Sequence, residues 1–190
     1  MLNSKLSKLL QKAYSAEKAA AYAYIGHAGS LKSSTKKKEI KVIENDEWNH
    51  REEVLKIMKN YHIKVSKYYE FKYAVIGKFI AFSCYVIGWF MPYFFAGKLE
   101  SGNVCEYFII LKYFHKIGIK SHDKELYEMG VKEKEHEDYF LNEIKDSKLL
   151  PLFQKLFFWG KSNSYNDVNL NELKSIENSN EYCKDYRKID

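Results

Sequence analysis

Two four-residue steps constrain this chain more than anything else in it: Glu47-Trp48-Asn49-His50 and Glu133-Lys134-Glu135-His136. Each reads Glu-x-x-His. Residues three apart on a helix share a face, one turn apart, so the carboxylate and imidazole of each step can reach one metal ion together. One such step often arises by chance. Two of them, each preceded by a helix with one acid in its apolar stripe, make a much rarer pattern. It is the four-helix di-metal arrangement, in which two helices give one Glu apiece and two give a Glu-x-x-His.

The surrounding sequence reads as helix. Only 2 Pro and 9 Gly interrupt 190 residues, a length that suits one domain and a tail. Helix A is expected over 2–28, where Leu6, Leu9, Leu10, Ala13, Glu17, Ala20, Ala21 and Tyr24 recur at three and four. Glu17 is its only acid and lies inside the stripe; the plainer reading puts it at the stripe's edge, paired with a Lys. A loop over 29–35 with Thr35 as N-cap leads to helix B at about 36–61. The stripe of helix B is Ile40, Ile43, Glu47, His50, Val54, Ile57 and Tyr61. Helix C is expected at about 101–116, with Glu106 its only acid beyond the entrance. Gly118 and Ser121 mark a turn into helix D, about 122–146, whose stripe is Leu126, Met129, Glu133, His136, Phe140 and Ile144.

Counting sets the heights. Glu17 lies about 15 residues before the middle of the A–B loop and Glu47 about 15 after it; at ~1.5 Å per residue an antiparallel pair brings them level. Glu106 and Glu133 flank the C–D turn in the same way, at about 13 and 14 residues. The expected metal ligands are therefore Glu17, Glu47, His50, Glu106, Glu133 and His136, with Glu47 and Glu133 bridging and Glu17 and Glu106 terminal. Four carboxylates and two imidazoles suit Fe(II), Mn(II) or Zn(II) and disfavour Cu(I). The expected cofactor is two iron ions per chain, with manganese the alternative. Each His needs an acceptor that fixes its tautomer; Glu44 and Asp46 are near in sequence, but helix faces do not turn both inward.

The remaining features narrow the class. Cys84, Cys105 and Cys183 are far apart with no Cys-x-x-Cys, which excludes a four-cysteine iron site within this chain. The same spacing argues against a disulfide framework and points to a reducing, cytoplasmic compartment. The N-terminus alternates Lys and Leu without an apolar block, so no signal peptide is expected. Net charge is +6, but the lysines are scattered apart from Lys36-Lys37-Lys38. Nucleic acid would want a continuous basic face; an anionic membrane surface needs less.

Residues 62–100 read as a long apolar crossover between helices B and C, without a charge from Phe79 to Gly97. Three placements compete: a core or subunit-contact helix pair able to support a homodimer, an apolar surface dipping into one leaflet, and a true span, for which Gly88 and Pro92 are ill suited. The Phe- and Trp-rich stretch 149–160 is amphipathic and fits either packing on the bundle or a membrane interface. The polar residues 161–190 read as a loose tail.

With these residues in view, the chain resembles the ferritin-like di-iron superfamily, and within it the demethoxyubiquinone hydroxylase family, over about residues 13–145. Glu17-Lys-Ala-Ala20-Ala-Tyr-Ala-Tyr24-Ile-Gly26-His27 is similar to that family's Glu-x-x-Ala-x-x-x-Tyr-x-Gly-Gln step, with His27 at the Gln position. Glu47-x-x-His50 followed by Leu55, the crossover ending Gly97-Lys98, and Cys105 beside the helix C acid also fit. The resemblance implies an all-α, ferritin-like four-helix bundle with a long apolar crossover. It also implies a peripheral membrane monooxygenase that uses O2 and a reductant on a lipophilic quinone-ring substrate. In that reading Tyr24 or Tyr113 lines the substrate pocket, and the electron donor is a separate, unidentified partner. Two alternatives use the same residues differently. One is a peroxide-reducing or iron-oxidising protein without an organic substrate; the other is a non-catalytic membrane-attached bundle whose acids pair with lysines.

Overall fold

The structure, a computed structural model, describes residues 4–157 and Trp159. Every element among the described residues is a helix: α1 (Ser4–Ser30), α2 (Ser34–Asn60), α3 (Lys67–Ser83), α4 (Phe90–Lys116), α5 (Asp123–Ile144) and α6 (Leu150–Phe157). The chain forms two compact units, the first ending at Pro92 and the second beginning at Tyr93. The expected tail over 161–190, with Cys183, lies outside the described residues.

In the first unit, α1 and α2 bury most of the faces that periodicity marks out; Leu9, Ala20 and Tyr61 are half-buried. Leu6, Leu10, Ala13, Glu17, Ala21 and Tyr24 are buried on α1, and Ile40, Ile43, Glu47, His50, Val54 and Ile57 on α2. The loop between them is shorter than expected, and its cap is Ser33 rather than Thr35. The Ser33 hydroxyl accepts a hydrogen bond from the Lys36 amide at 3.4 Å, so Thr35 is already helical. Helix α3 packs on α1 through small residues. A Cβ added at Gly77 would stand 2.7 Å from the Ala19 Cα, and one at Gly26 would collide with the Ala81 backbone.

A polar knot pins the start of α3 to both neighbours. Arg51, on α2, donates both guanidinium nitrogens to the Glu70 carboxylate of α3, at 3.0 and 2.7 Å. Ser15 and Lys18, on α1, donate to the same carboxylate at 2.9 and 3.1 Å. The guanidinium also stacks 3.6 Å from the centre of the Tyr14 ring and donates to the Tyr14 carbonyl. Burial alone would raise the Glu70 pKa, but the hydrogen bonds from Arg51, Ser15 and Lys18 outweigh it and hold the group near pH 2.

The expected crossover over 62–100 is where sequence and structure differ most. It divides into α3 and the first eleven residues of α4, separated by a turn in which Gly88 takes a positive φ of 79°. Pro92 falls in the first turn of α4, where its missing N–H costs no helical hydrogen bond. Helix α4 therefore starts at Phe90, not near 101, and Glu100 lies well inside it. None of the described helices is long and apolar enough to cross a membrane. The outward face of α3 is nonetheless apolar: Tyr68, Phe71, Val75, Phe79 and Phe82 follow one another at three and four and are 52–73% exposed.

In the second unit, α4 and α5 are joined by a turn at Gly118, and α5 buries every residue of its expected stripe. His115 near the end of α4 pairs with Asp123 at the start of α5, at 2.7 Å. Helix α6 lays Phe153 and Phe157 against Phe94 of α4, with ring centres 5.4 and 5.8 Å away. Leu149, Leu152 and Leu156 remain exposed. Trp159 reaches back to pack on Phe94 and donates its indole N–H to Glu137 at 3.0 Å.

The Glu70 knot sets a pH dependence. Its carboxylate is held below its ordinary value of 4.5, so its stabilisation is complete above that pH and is lost as pH falls toward about 2. Denaturant midpoints should drop through this window in the wild type and be flatter in Glu70→Gln. Arg51→Met, which leaves Glu70 without its main partner, should cost ~1–3 kcal/mol at neutral pH in the same measurement.

Candidate metal centre

The first unit brings together Glu17 from α1 with Glu47 and His50 from α2. Each is buried, Glu47 completely. One ligand atom of each lies within 4.8 Å of those of the others. Two oxygen or nitrogen donors on one ion at ~2.0–2.2 Å are at most ~4.4 Å apart, so this trio is within a few tenths of an ångström of metal-binding spacing. The helical register accounts for it. Glu47 and His50 follow Ile40 and Ile43 along the buried stripe, and Glu17 takes the corresponding place between Ala13 and Ala21.

The second unit repeats the construction with Glu133 and His136 on α5, but its third member is Glu100 and not Glu106. Ligand atoms of Glu100, Glu133 and His136 lie within the same 4.8 Å limit, and Glu100 and Glu133 are fully buried. The His136 Nδ1 is 3.8 Å from a Glu133 oxygen. Asn103, one turn after Glu100, donates its side-chain amide to Glu100 Oε2 at 2.8 Å. Burial first, and then the adjacent Glu133 charge, pushes the Glu100 pKa well above the ordinary carboxylate value.

Glu106 is half-buried and belongs to neither trio. Six residues on from Glu100, it points about 240° away around the helix. Counting from the turn chose it because that count assumes helices that meet at the turn. Glu100 lies 16 residues before the end of α4 and Glu133 ten after the start of α5, so the connection 117–122 has to make up a difference of ~9 Å of helical rise. Glu100 and Glu106 are the two acids of α4, and Glu100 becomes a candidate only once the helix is known to start at Phe90.

The neighbours fall into place around the trios. Glu44 is buried, but Lys41 and the Trp48 indole occupy its oxygens at 2.6 and 3.2 Å, so it is committed elsewhere on α2. Tyr24 is buried on α1, whereas Tyr113 is half-buried with the Lys116 ammonium 5.4 Å from its ring centre. Burial lowers the His27 pKa to about 4, so this imidazole is neutral at physiological pH. Cys84 is a buried free thiol whose pKa burial raises to about 11, whereas Cys105 is disulfide-bonded, against the expectation of no disulfide and a reducing compartment.

These buried Glu and His clusters can hold a metal ion. Carboxylate oxygen with one imidazole per trio is the donor set of iron, manganese or zinc. Mutagenesis separates the two candidate acids of α4. Equilibrium Mn(II) binding to the metal-free protein should weaken by at least ~100-fold at the affected site in Glu47→Gln and Glu100→Gln, beyond the ~10–100-fold typical of outer residues. Glu106→Gln should bind as the wild type does.

Comparison of the chain with protein-family models, with curated proteins and with solved structures gives no match.

Proposed function

We propose that the two trios close on a single di-iron centre within a ferritin-like four-helix bundle of α1, α2, α4 and α5. In this reading the protein is an O2-activating hydroxylase of a lipophilic, quinone-type ring, working at a membrane surface. The observation that carries it is the repeated trio. Two separate units each bury a lone Glu beside a Glu-x-x-His, the donor set that the four-helix di-metal template requires. Glu17, Glu47 and His50 would hold one ion, and Glu100, Glu133 and His136 the other.

Iron held there would supply the reducing electrons for O2 and the oxidising power to place one oxygen atom on a ring carbon. The overall change is O2 + R–H + two electrons + two protons giving R–OH and water, so a separate two-electron donor is required. The chain's own residues do the rest. The apolar residues around each trio exclude water, which keeps oxidising equivalents from solvent. Neutral His27 and the buried Tyr24 add no charge to the wall of α1, which suits an uncharged ring.

The apolar face of α3 favours this reading over peroxide reduction or iron oxidation, neither of which needs a lipid-facing surface. Exposed apolar patches of this kind mark interaction or membrane surfaces. Lys67, Lys72 and Lys78 flank it, as an anionic bilayer would favour. A homodimer through the same face is the competing arrangement.

The purified protein with iron, a reductant and a quinone-ring substrate in detergent should consume O2 in proportion to hydroxylated product. Glu47→Ala should lower that rate by at least ~100-fold, as removal of several kcal/mol of metal-dependent catalysis requires. Retention of the full rate in Glu47→Ala would sink the hydroxylase reading. Phe71→Asp with Phe79→Asp should abolish sedimentation with anionic vesicles yet keep O2 uptake with a detergent-soluble substrate.

A further inference from the structure

We infer that Asn103 is a positioning residue for the second metal ion, which fixes Glu100 so that a single oxygen, Oε1, serves as ligand. The inference rests on the metal reading above and adds an outer partner that neither Glu-x-x-His step suggests. Glu100 is fully buried; the Asn103 side-chain amide donates to its Oε2 at 2.8 Å, and Glu133 lies within hydrogen-bonding reach of the same carboxylate. The contact spans one turn of α4, so it needs no neighbouring element to hold it. Oε1, likewise buried, is the oxygen that this contact leaves for the space shared with Glu133 and His136.

The chemistry explains why an amide serves here. A carboxylate at position 103 would add a negative charge one turn from Glu100, in a unit that already buries Glu100 and Glu133. Lysine or arginine would bring a full positive charge beside the ligand and compete with the ion. A neutral donor restrains the carboxylate rotor without either effect.

The test is an Mn(II) titration of the full-length metal-free protein, followed by loss of the free-ion electron paramagnetic resonance signal. Two variants are compared with wild type: N103L, which keeps the volume and removes the donor, and N103A, which removes both. We expect two equivalents in the wild type, and in each variant a ~10–100-fold weaker affinity for one of them with the other unchanged. Circular dichroism reports whether each variant folds; should one fail, the other decides. Wild-type affinity in a folded variant overturns the inference while leaving the di-metal reading intact. Equal weakening of both equivalents also overturns it, because a general loss of packing would act on both. A wild type that takes up no Mn(II) overturns both readings together.

Discussion

A carboxylate forced into a helical core is costly unless something positive meets it. This chain does so repeatedly, with Glu17, Glu47, Glu100 and Glu133 each at most 3% exposed. Their placement makes that cost intelligible. Each stands beside an imidazole or a second acid within reach of a common ion, rather than scattered through the core. Where a buried acid has another task, its partners are explicit, as with Glu44 against Lys41 and Trp48, or Glu137 against Lys134 and Trp159. The helices around the trios supply spacing and dryness, and their apolar stripes are what hold the donors at depth.

Much of this was legible in the sequence, because helix periodicity and the Glu-x-x-His step obey the same geometry. The stripe that runs through Glu47 and His50, and the one through Glu133 and His136, emerge buried as the three-four spacing requires. The first trio could be counted across a tight connection of three residues, 31–33. The second could not, since residues 117–122 make a longer connection and counting cannot say how far such a loop runs back along its helix. Glu100 was hidden for another reason. It lies close to a charge-free run that reads as one crossover, and only the turn at Gly88 and the helix start at Phe90 place it on α4.

Helix α3 shows what periodicity cannot assign. It is apolar on more than one side, so its pattern does not say which side meets protein. Gly77 against Ala19 and Ala81 against Gly26 settle one face by close backbone approach, and the Glu70 knot fixes the end. The opposite face, with Phe71 and Phe79 more than 70% exposed, is left for a surface of matching character. Arg51 follows His50 directly in α2, so the residues that anchor α3 adjoin those of the first trio.

The account depends on the two trios serving one centre. A crystal structure of the iron-loaded protein, with anomalous scattering recorded at the iron edge, tests this most directly. The account predicts two anomalous peaks ~3.5–4 Å apart, as in two-metal sites generally, between Glu17, Glu47 and His50 on one side and Glu100, Glu133 and His136 on the other. Peaks on the separate trios at much greater distance, or iron bound only at the protein surface, would contradict it.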